Sequence, residues 1–371
     1  MKTLRLPGLA LLLLALSACV TTPPQAALSP ARAQAIDAAV EAGMRRDGTV
    51  GMAIGIIEDD RIVYLKGYGD ADREQRVPVT TRTMFRWASV SKPVTAIAAL
   101  QLVEQGRLDL DADVRRYVPE FPDKGVAITT RELLSHQGGI VHYDNGPVVV
   151  TEHKYVEAHP YADVVTALDT FKDSPLVNKP REKYAYTSHG FMLVAAVVQR
   201  AGNEAFARQV QERIIDPLHL TTLQPDYQWI AIPDRATGYL KKDGAVLRST
   251  DTDVSWKLGG GGYISDIEDF AGFAKGLIDG HLVSAQTQAM MWTPQKLADG
   301  TATSYGLGFF IADDHGRLRI AHDGSQEKTR TSLTIWPRER RGIVIMTNSE
   351  WVDPKKYVQA IEALDTSHAA K

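Results

Sequence analysis

Strand-forming sequence stands at both ends of this chain, and helix-forming sequence fills the middle. Residues 50–57 and 61–68 are β-branched, partly alternating runs joined by Glu58-Asp59-Asp60, which predicts a hairpin with a polar turn. Comparable runs return at 305–311, 318–322, 331–336 and 342–347. A lone hairpin is marginal in water and leaves open edges, so the two ends of the chain are expected to pair. The expected fold is therefore α/β. One antiparallel sheet is drawn from 50–68 and 305–347 and flanked by helices, with a mainly helical domain inserted over about 89–300.

Helix signals fill in the rest. Ser29-Pro30 reads as an N-cap followed by proline at the first helical position, and Ile36, Val40 and Met44 recur at four-residue spacing toward Gly48. Further helices are expected at 91–105, 130–135, 162–170, 190–200, 204–215 and 267–277, and an amphipathic one at 355–364 closes the chain. Gly259-Gly260-Gly261-Gly262 must be a permissive loop or a place where two backbones approach closely. Residues 30–366 read as one folded body, and no internal repeat is visible.

The first 18 residues do not belong to that body. Lys2 and Arg5 precede an apolar run from Gly8 to Leu16, too short to span a bilayer but suited to a signal-peptide core. The run ends in Leu16-Ser17-Ala18-Cys19, which is similar to a bacterial lipobox, and Cys19 is the sole cysteine, so no intrachain disulfide can form. The expectation is a lipidated Cys19 on a short tether over 19–29, exported and held at the periplasmic face of the cell envelope. Val20 stands where an Asp favours inner-membrane retention, so the outer membrane is the expected destination. Loss of residues 1–18 takes the formal charge from −3 to −5, and without a basic surplus a nucleic-acid partner is not expected.

Ser89-Val90-Ser91-Lys92 places a hydroxyl and an amine three residues apart, on one face of a helix. A serine hydroxyl is too weak an acid to attack a carbonyl unaided, and an adjacent unprotonated amine can take its proton. The spacing alone is weak, since Ser325-Gln326-Glu327-Lys328 has it too. Context favours the first pair: Ser89 enters an apolar-faced helix with Val94, Ile97 and Leu100, whereas Ser325 follows a strand.

Four spaced segments carry a resemblance. They are Phe85-Arg86-Trp87-Ala88-Ser89-Val90-Ser91-Lys92, Ile128 through Ile140, Tyr184-Ala185-Tyr186-Thr187-Ser188-His189-Gly190, and Tyr305-Gly306-Leu307-Gly308 leading to His322-Asp323-Gly324. Together they resemble the β-lactamase-related serine hydrolases. That family includes class C β-lactamases, D-alanyl-D-alanine carboxypeptidases, some bacterial esterases and the mitochondrial β-lactamase-like protein. The resemblance implies Ser89, Lys92 and Tyr186 as catalytic residues, with Tyr186 shuttling a proton at a pKa lowered by the lysine. Ser188 replaces the asparagine of the family's second motif. His322-Asp323-Gly324 takes the place of its Lys-Thr-Gly, as in esterase-like relatives, and Lys328-Thr329-Arg330 lacks the glycine. His322, Gly324, Ser325 and Ser188 are thereby substrate-binding residues, with the Ser89 and Ser325 amides forming the oxyanion hole.

The implied chemistry is acyl-enzyme hydrolysis of small esters, amides or peptides without a cofactor or metal. A histidine is largely neutral at pH 7, so its standing in place of a fixed lysine favours neutral esters or peptide-like acyl groups over β-lactams. Two alternatives stand beside this: a weak or inactive membrane-anchored scaffold of the same fold, and a true β-lactamase or D,D-peptidase. No Gly-x-Ser-x-Gly elbow is present. His136, His142, His153 and His159 with Asp144 lack a tight ligand spacing, and His142 and Tyr143 read better as pocket-lining residues.

Overall fold

The computed structural model describes residues 28–369. The signal segment 1–18, Cys19 and all but the end of the tether lie outside the described residues.

The two ends of the chain meet in a seven-stranded antiparallel sheet. Its spatial order is Val77–Pro78, Arg61–Asp72, Gly51–Glu58, Arg341–Thr347, Thr329–Trp336, Arg317–Gln326 and Phe310–Asp314. The central pairing is the long-range one, Met52 opposite Thr347 through Glu58 opposite Arg341. Asp59 and Asp60 both take positive φ, as a tight hairpin turn between right-twisted strands requires.

Both faces of the sheet are covered, so alternate residues of one strand enter different cores. Met52, Ile54, Ile56, Ile343 and Ile345 pack with Ile36, Val40, Tyr357 and Ile361 of the terminal helices Pro30–Asp47 and Pro354–Ala369. Ala53, Ile57, Val344 and Met346 face the other way, toward Phe270 and Phe273 of helix Ile267–Asp279 and the inserted helical domain. Ser29 caps the first helix and Gly48 closes it at φ +65°, as the sequence indicates.

Four local expectations change. Residues 305–309 do not join the sheet, and the strand is Phe310–Asp314. The Leu307 and Gly308 amides instead bond Met291 and Leu134 of the helical domain. Residues 162–170 form two 3₁₀ turns, Pro160–Ala162 and Thr166–Thr170, because the Asp163 carboxylate takes the Val165 and Thr166 amides at 3.1 and 2.8 Å. The helix expected at 204–215 is α over Phe206–Val210 and widens to π over Gln211–Ile215. The tetraglycine is not an open loop: Leu258–Gly261 is one helical turn pressed against helix Ser188–Gly202. A Cβ on Gly259 would stand 2.5 Å from Ala195 Cβ, so the close backbone approach is the reading that holds.

Candidate active site

Ser89 lies where strand Phe85–Arg86 and a 3₁₀ turn, Ala88–Val90, lead into helix Ser91–Glu104. Ala88 immediately before it has φ +49°, a left-handed conformation that costs a non-glycine residue on the order of 1–3 kcal/mol. The surroundings hold that turn firmly. Trp87 N donates to Tyr263 O at 2.8 Å, Thr331 Oγ1 donates to Trp87 O at 2.9 Å, and the Trp87 indole donates to Ser265 Oγ at 2.7 Å. One residue earlier, Arg86 is buried and donates to Asp226 at 2.6 Å, and Arg235 pairs with the other oxygen of that carboxylate.

The strand edge reaches the nucleophile through Gly324. A Cβ there would lie 2.1 Å from Thr331 Oγ1 and 2.4 Å from Trp87 O. Strand Phe310–Asp314 pairs with its neighbour only as far as Ala321, so on that side Gly324 and Ser325 continue past their partner's end. Sequence pattern placed the end of this strand at His322. Pairing through Gln326 opposite Thr329, across a two-residue turn with Lys328 at φ +71°, carries it further.

Lys92 is fully buried on the first turn of the helix. Its Nζ lies 2.9 Å from Ser89 Oγ, 3.0 Å from Ser188 Oγ and 2.8 Å from Gly260 O. None of these partners carries charge. Burial therefore drives the amine well below its ordinary pKa, and the nearby charge of Lys257 acts in the same direction. A neutral amine has two N–H groups and one lone pair. The Gly260 carbonyl can only accept, so it takes one N–H; with the second on Ser188, the lone pair is left for the Ser89 proton. Gly260 can come this close because it lacks a side chain: its Cβ would meet Ser188 O at 2.9 Å.

Tyr186 joins the pair. Its ring lies over Lys92 with Nζ 4.9 Å from the centroid, and its hydroxyl lies toward the Ser89 side chain. The expected lowering of its pKa does not occur. Burial pushes the phenol up, beyond the range of ordinary tyrosines, and the Ser89 side chain opposes this only in part. The physical reason lies next door, since an amine driven to neutrality offers no cation to stabilise a phenolate. Tyr186 is thus a proton-bearing phenol at neutral pH.

His322 is enclosed. Its Nε2 lies 2.9 Å from Tyr305 Oη and its Nδ1 2.8 Å from the Asp323 carbonyl, so the proton sits on Nδ1 and the tyrosine donates to Nε2. Burial first, then the field of Lys92, push its pKa down to about 3. With both nitrogens engaged inside the protein, His322 supports the strand edge from behind, a more indirect part than the substrate contact expected from sequence. Ser188 contacts Lys92, as described, and its amide donates to His142 Nδ1 at 3.2 Å. Ser325 is exposed at the edge. The second Ser-x-x-Lys pair dissolves, because Lys328 turns away to an ion pair with Asp251.

The histidines of the 136–160 region separate. His136 is buried against Tyr186, its Nδ1 accepting from Thr187 N at 3.2 Å. The His142 ring lies 4.1 Å from that of Tyr143, and His142 Nδ1 accepts from Ser188 N at 3.2 Å. His153 approaches Asp169, and His159 stacks on Trp229. Sequence reasoning missed the Gly260 carbonyl and the backing role of His136. The signals for them were the tetraglycine and the Ser135-His136-Gln137-Gly138-Gly139 stretch.

Known proteins with this arrangement are numerous. Human mitochondrial serine beta-lactamase-like protein LACTB is 29% identical over 381 residues, covering 79% of this chain and 70% of its own. Penicillin-binding protein 4* of Bacillus subtilis is 25% identical over 321 residues, covering 82% and 69%. Among solved structures, the octameric penicillin-binding protein homologue from Pyrococcus abyssi superposes with a TM-score of 0.76 at 24% identity, covering 91% of this chain and 77% of that one. EstCE1, a hydrolase with promiscuous acyltransferase activity, gives 0.74 at 21%, with coverage of 89% and 97%. At these identities the structures speak to the fold alone. The profile of the Beta-lactamase family, whose members are serine hydrolases, matches residues 36–365, and the chain belongs to that family.

Proposed function

We propose that this protein hydrolyses small esters or peptide-like amides through an acyl-enzyme on Ser89. The observation that carries the reading is the 2.9 Å approach of Ser89 Oγ to a buried amine with only neutral partners. Ser89 Oγ attacks the substrate carbonyl while its proton passes to Lys92 Nζ. Negative charge on the carbonyl oxygen is stabilised by the Ser89 and Ser325 amides, the former at the start of helix Ser91–Glu104. The proton returns to the leaving group from Lys92 or through the Tyr186 hydroxyl, and the C–O or C–N bond breaks. Water then attacks the acyl-enzyme ester while Lys92 takes one of its protons, and the Ser89 Oγ–acyl bond breaks as Lys92 returns that proton to Oγ and the acid leaves.

Support for this over a scaffold role comes from cost. A lysine buried without a counter-ion and a left-handed alanine both destabilise a fold, and a purely structural protein gains nothing from keeping them side by side. The test is a panel of short-chain p-nitrophenyl esters, D-amino-acid amides and nitrocefin, with a fluorophosphonate probe run alongside. Ester or amide turnover with Ser89-dependent labelling is expected. Absence of both labelling and turnover defeats the reading, and nitrocefin as the only good substrate reverses the substrate ranking. Lipidation of Cys19 and retention in the cell envelope complete the proposal. Membrane release of a Cys19→Ala protein would support it, and unchanged membrane retention would oppose it.

A further inference from the structure

The expectation of neutral substrates considered one wall of the cleft, where His322 replaces a lysine. Another cation lies close to the same group of residues. Lys257 stands immediately before the helical turn Leu258–Gly261 whose Gly260 carbonyl holds Lys92. Its Nζ lies 5.8 Å from the centre of the Tyr143 ring and 5.7 Å from that of Trp256. The Tyr143 phenol lies toward the Ser188 side chain, and Ser188 Oγ is 3.0 Å from Lys92 Nζ. One phenol ring therefore separates Lys257 from the catalytic amine. Lys257 itself is buried, whereas Tyr143, the ring it faces, is 46% exposed.

Among the described residues the Lys257 ammonium makes no ion pair and no hydrogen bond; the ring faces of Tyr143 and Trp256 are its company. The charged groups that act on it are few. Burial lowers its pKa below that of a free lysine; Glu327, exposed on the turn after Ser325, favours the charge from beyond ion-pair distance, and Arg86 opposes it. The field of Lys257 reaches Lys92, His142 and His189, all three held neutral by burial. A buried ammonium without a counter-ion costs free energy, and a carboxylate entering the cleft would recover it.

We infer that Lys257 is a specificity-determining residue that binds a carboxylate on the substrate, so that the preferred substrates are acyl compounds bearing a second, anionic carboxyl group. This rests on the hydrolase reading above and narrows its substrate class. Tyr143 and Trp256 flank the ammonium with apolar surface, which suits a short aliphatic or aryl chain between the carboxylate and the scissile carbonyl.

The test compares p-nitrophenyl butyrate with the mono-p-nitrophenyl ester of succinate. The full-length wild-type protein should favour the succinyl ester. In Lys257→Met the ratio of the two kcat/KM values, succinyl over butyryl, should fall by at least about tenfold, the size of one charged hydrogen bond, and Lys257→Arg should restore much of it. Both esters meet the same Lys92, so any change in that amine on losing the Lys257 field cancels in the ratio. An unchanged ratio overturns the inference while leaving the hydrolase reading intact. If neither ester is turned over, the hydrolase reading fails instead. Calorimetric titration of succinate then decides the anion site, with binding to wild type and Ser89→Ala but not Lys257→Met supporting it and equal binding to all three overturning it.

Discussion

Lys92 Nζ and Ser89 Oγ stand 2.9 Å apart, and no carboxylate is among the hydrogen-bond partners of the lysine. A charge at this position would have lost its water without gaining a counter-ion, so the enclosure selects the amine form. The same enclosure keeps Tyr186 protonated and His322 neutral. In the proposed mechanism three neighbouring groups divide the work: one accepts the serine proton, one keeps a proton to give, and one remains inert across the working pH range.

The pH profile follows from that division. Lys92 acts only when unprotonated, and its folded pKa lies well below the 10.5 of a free lysine. As pH rises through the lowered value, kcat/KM should climb and then hold a plateau through neutral and mildly alkaline pH. His322, held to about 3, should contribute no inflection near the usual histidine value. Lys92→Arg keeps a cation and cannot be deprotonated, so it should lose at least about 10³-fold in kcat. Retention of activity in that variant would show that the residue serves as a charge and not as a base.

Ser89→Ala should remove turnover by at least about 10⁴-fold, since nucleophile deletions in serine hydrolases are among the largest known. Ser89 is half-buried and outside the apolar cores, so its melting temperature should move by no more than a few degrees. Kinetics and differential scanning calorimetry on one preparation check both halves. A strongly destabilised variant would mark a structural serine.

Gly324→Ala tests the strand edge. The added methyl would have to pass within 2.4 Å of the Trp87 carbonyl, a backbone atom that cannot swing aside. The strand must therefore retreat from the nucleophile turn. A cost of about 1–3 kcal/mol in urea unfolding is expected, with a loss in kcat/KM of roughly 10²-fold because the oxyanion donor moves with the strand. Wild-type kinetics in this variant would detach Ser325 from the mechanism.

Much of this was legible before any coordinates. The hairpin at 51–72 and the carboxy-terminal strands declared themselves through β-branched alternation, and the terminal helices through caps and four-residue spacing. Ser89, Lys92 and Tyr186 were legible because the motif segments carry their own spacing. What escaped was set by tertiary contact. Tyr305 through Phe309 looks like a strand, but its Leu307 and Gly308 amides are used by the helical domain. The Tyr186 pKa was misjudged because local reasoning gave Lys92 a charge that its enclosure removes. Lys257 has no motif at all; only the fold brings it beside Tyr143.

The last prediction concerns Asp226, which is fully buried and joins two arginines. Arg86 donates to one carboxylate oxygen at 2.6 Å, while Arg235 lies 2.5 Å from the other. Asp226→Ala leaves the buried Arg86 guanidinium without its counter-charge, and breaking such a pair costs about 3–5 kcal/mol. Arg86 also begins the turn that holds Ala88 left-handed, and its carbonyl accepts from Thr329 Oγ1 at 3.0 Å. A strained turn relaxes once its anchors loosen, so kcat should fall well below the melting transition, where the fold is still intact. Asp226→Asn keeps the shape and one acceptor, and should lose less on both counts. Urea unfolding paired with ester kinetics at low temperature separates the two effects. Normal kcat in a destabilised Asp226→Ala protein would show that the ion pair serves stability alone.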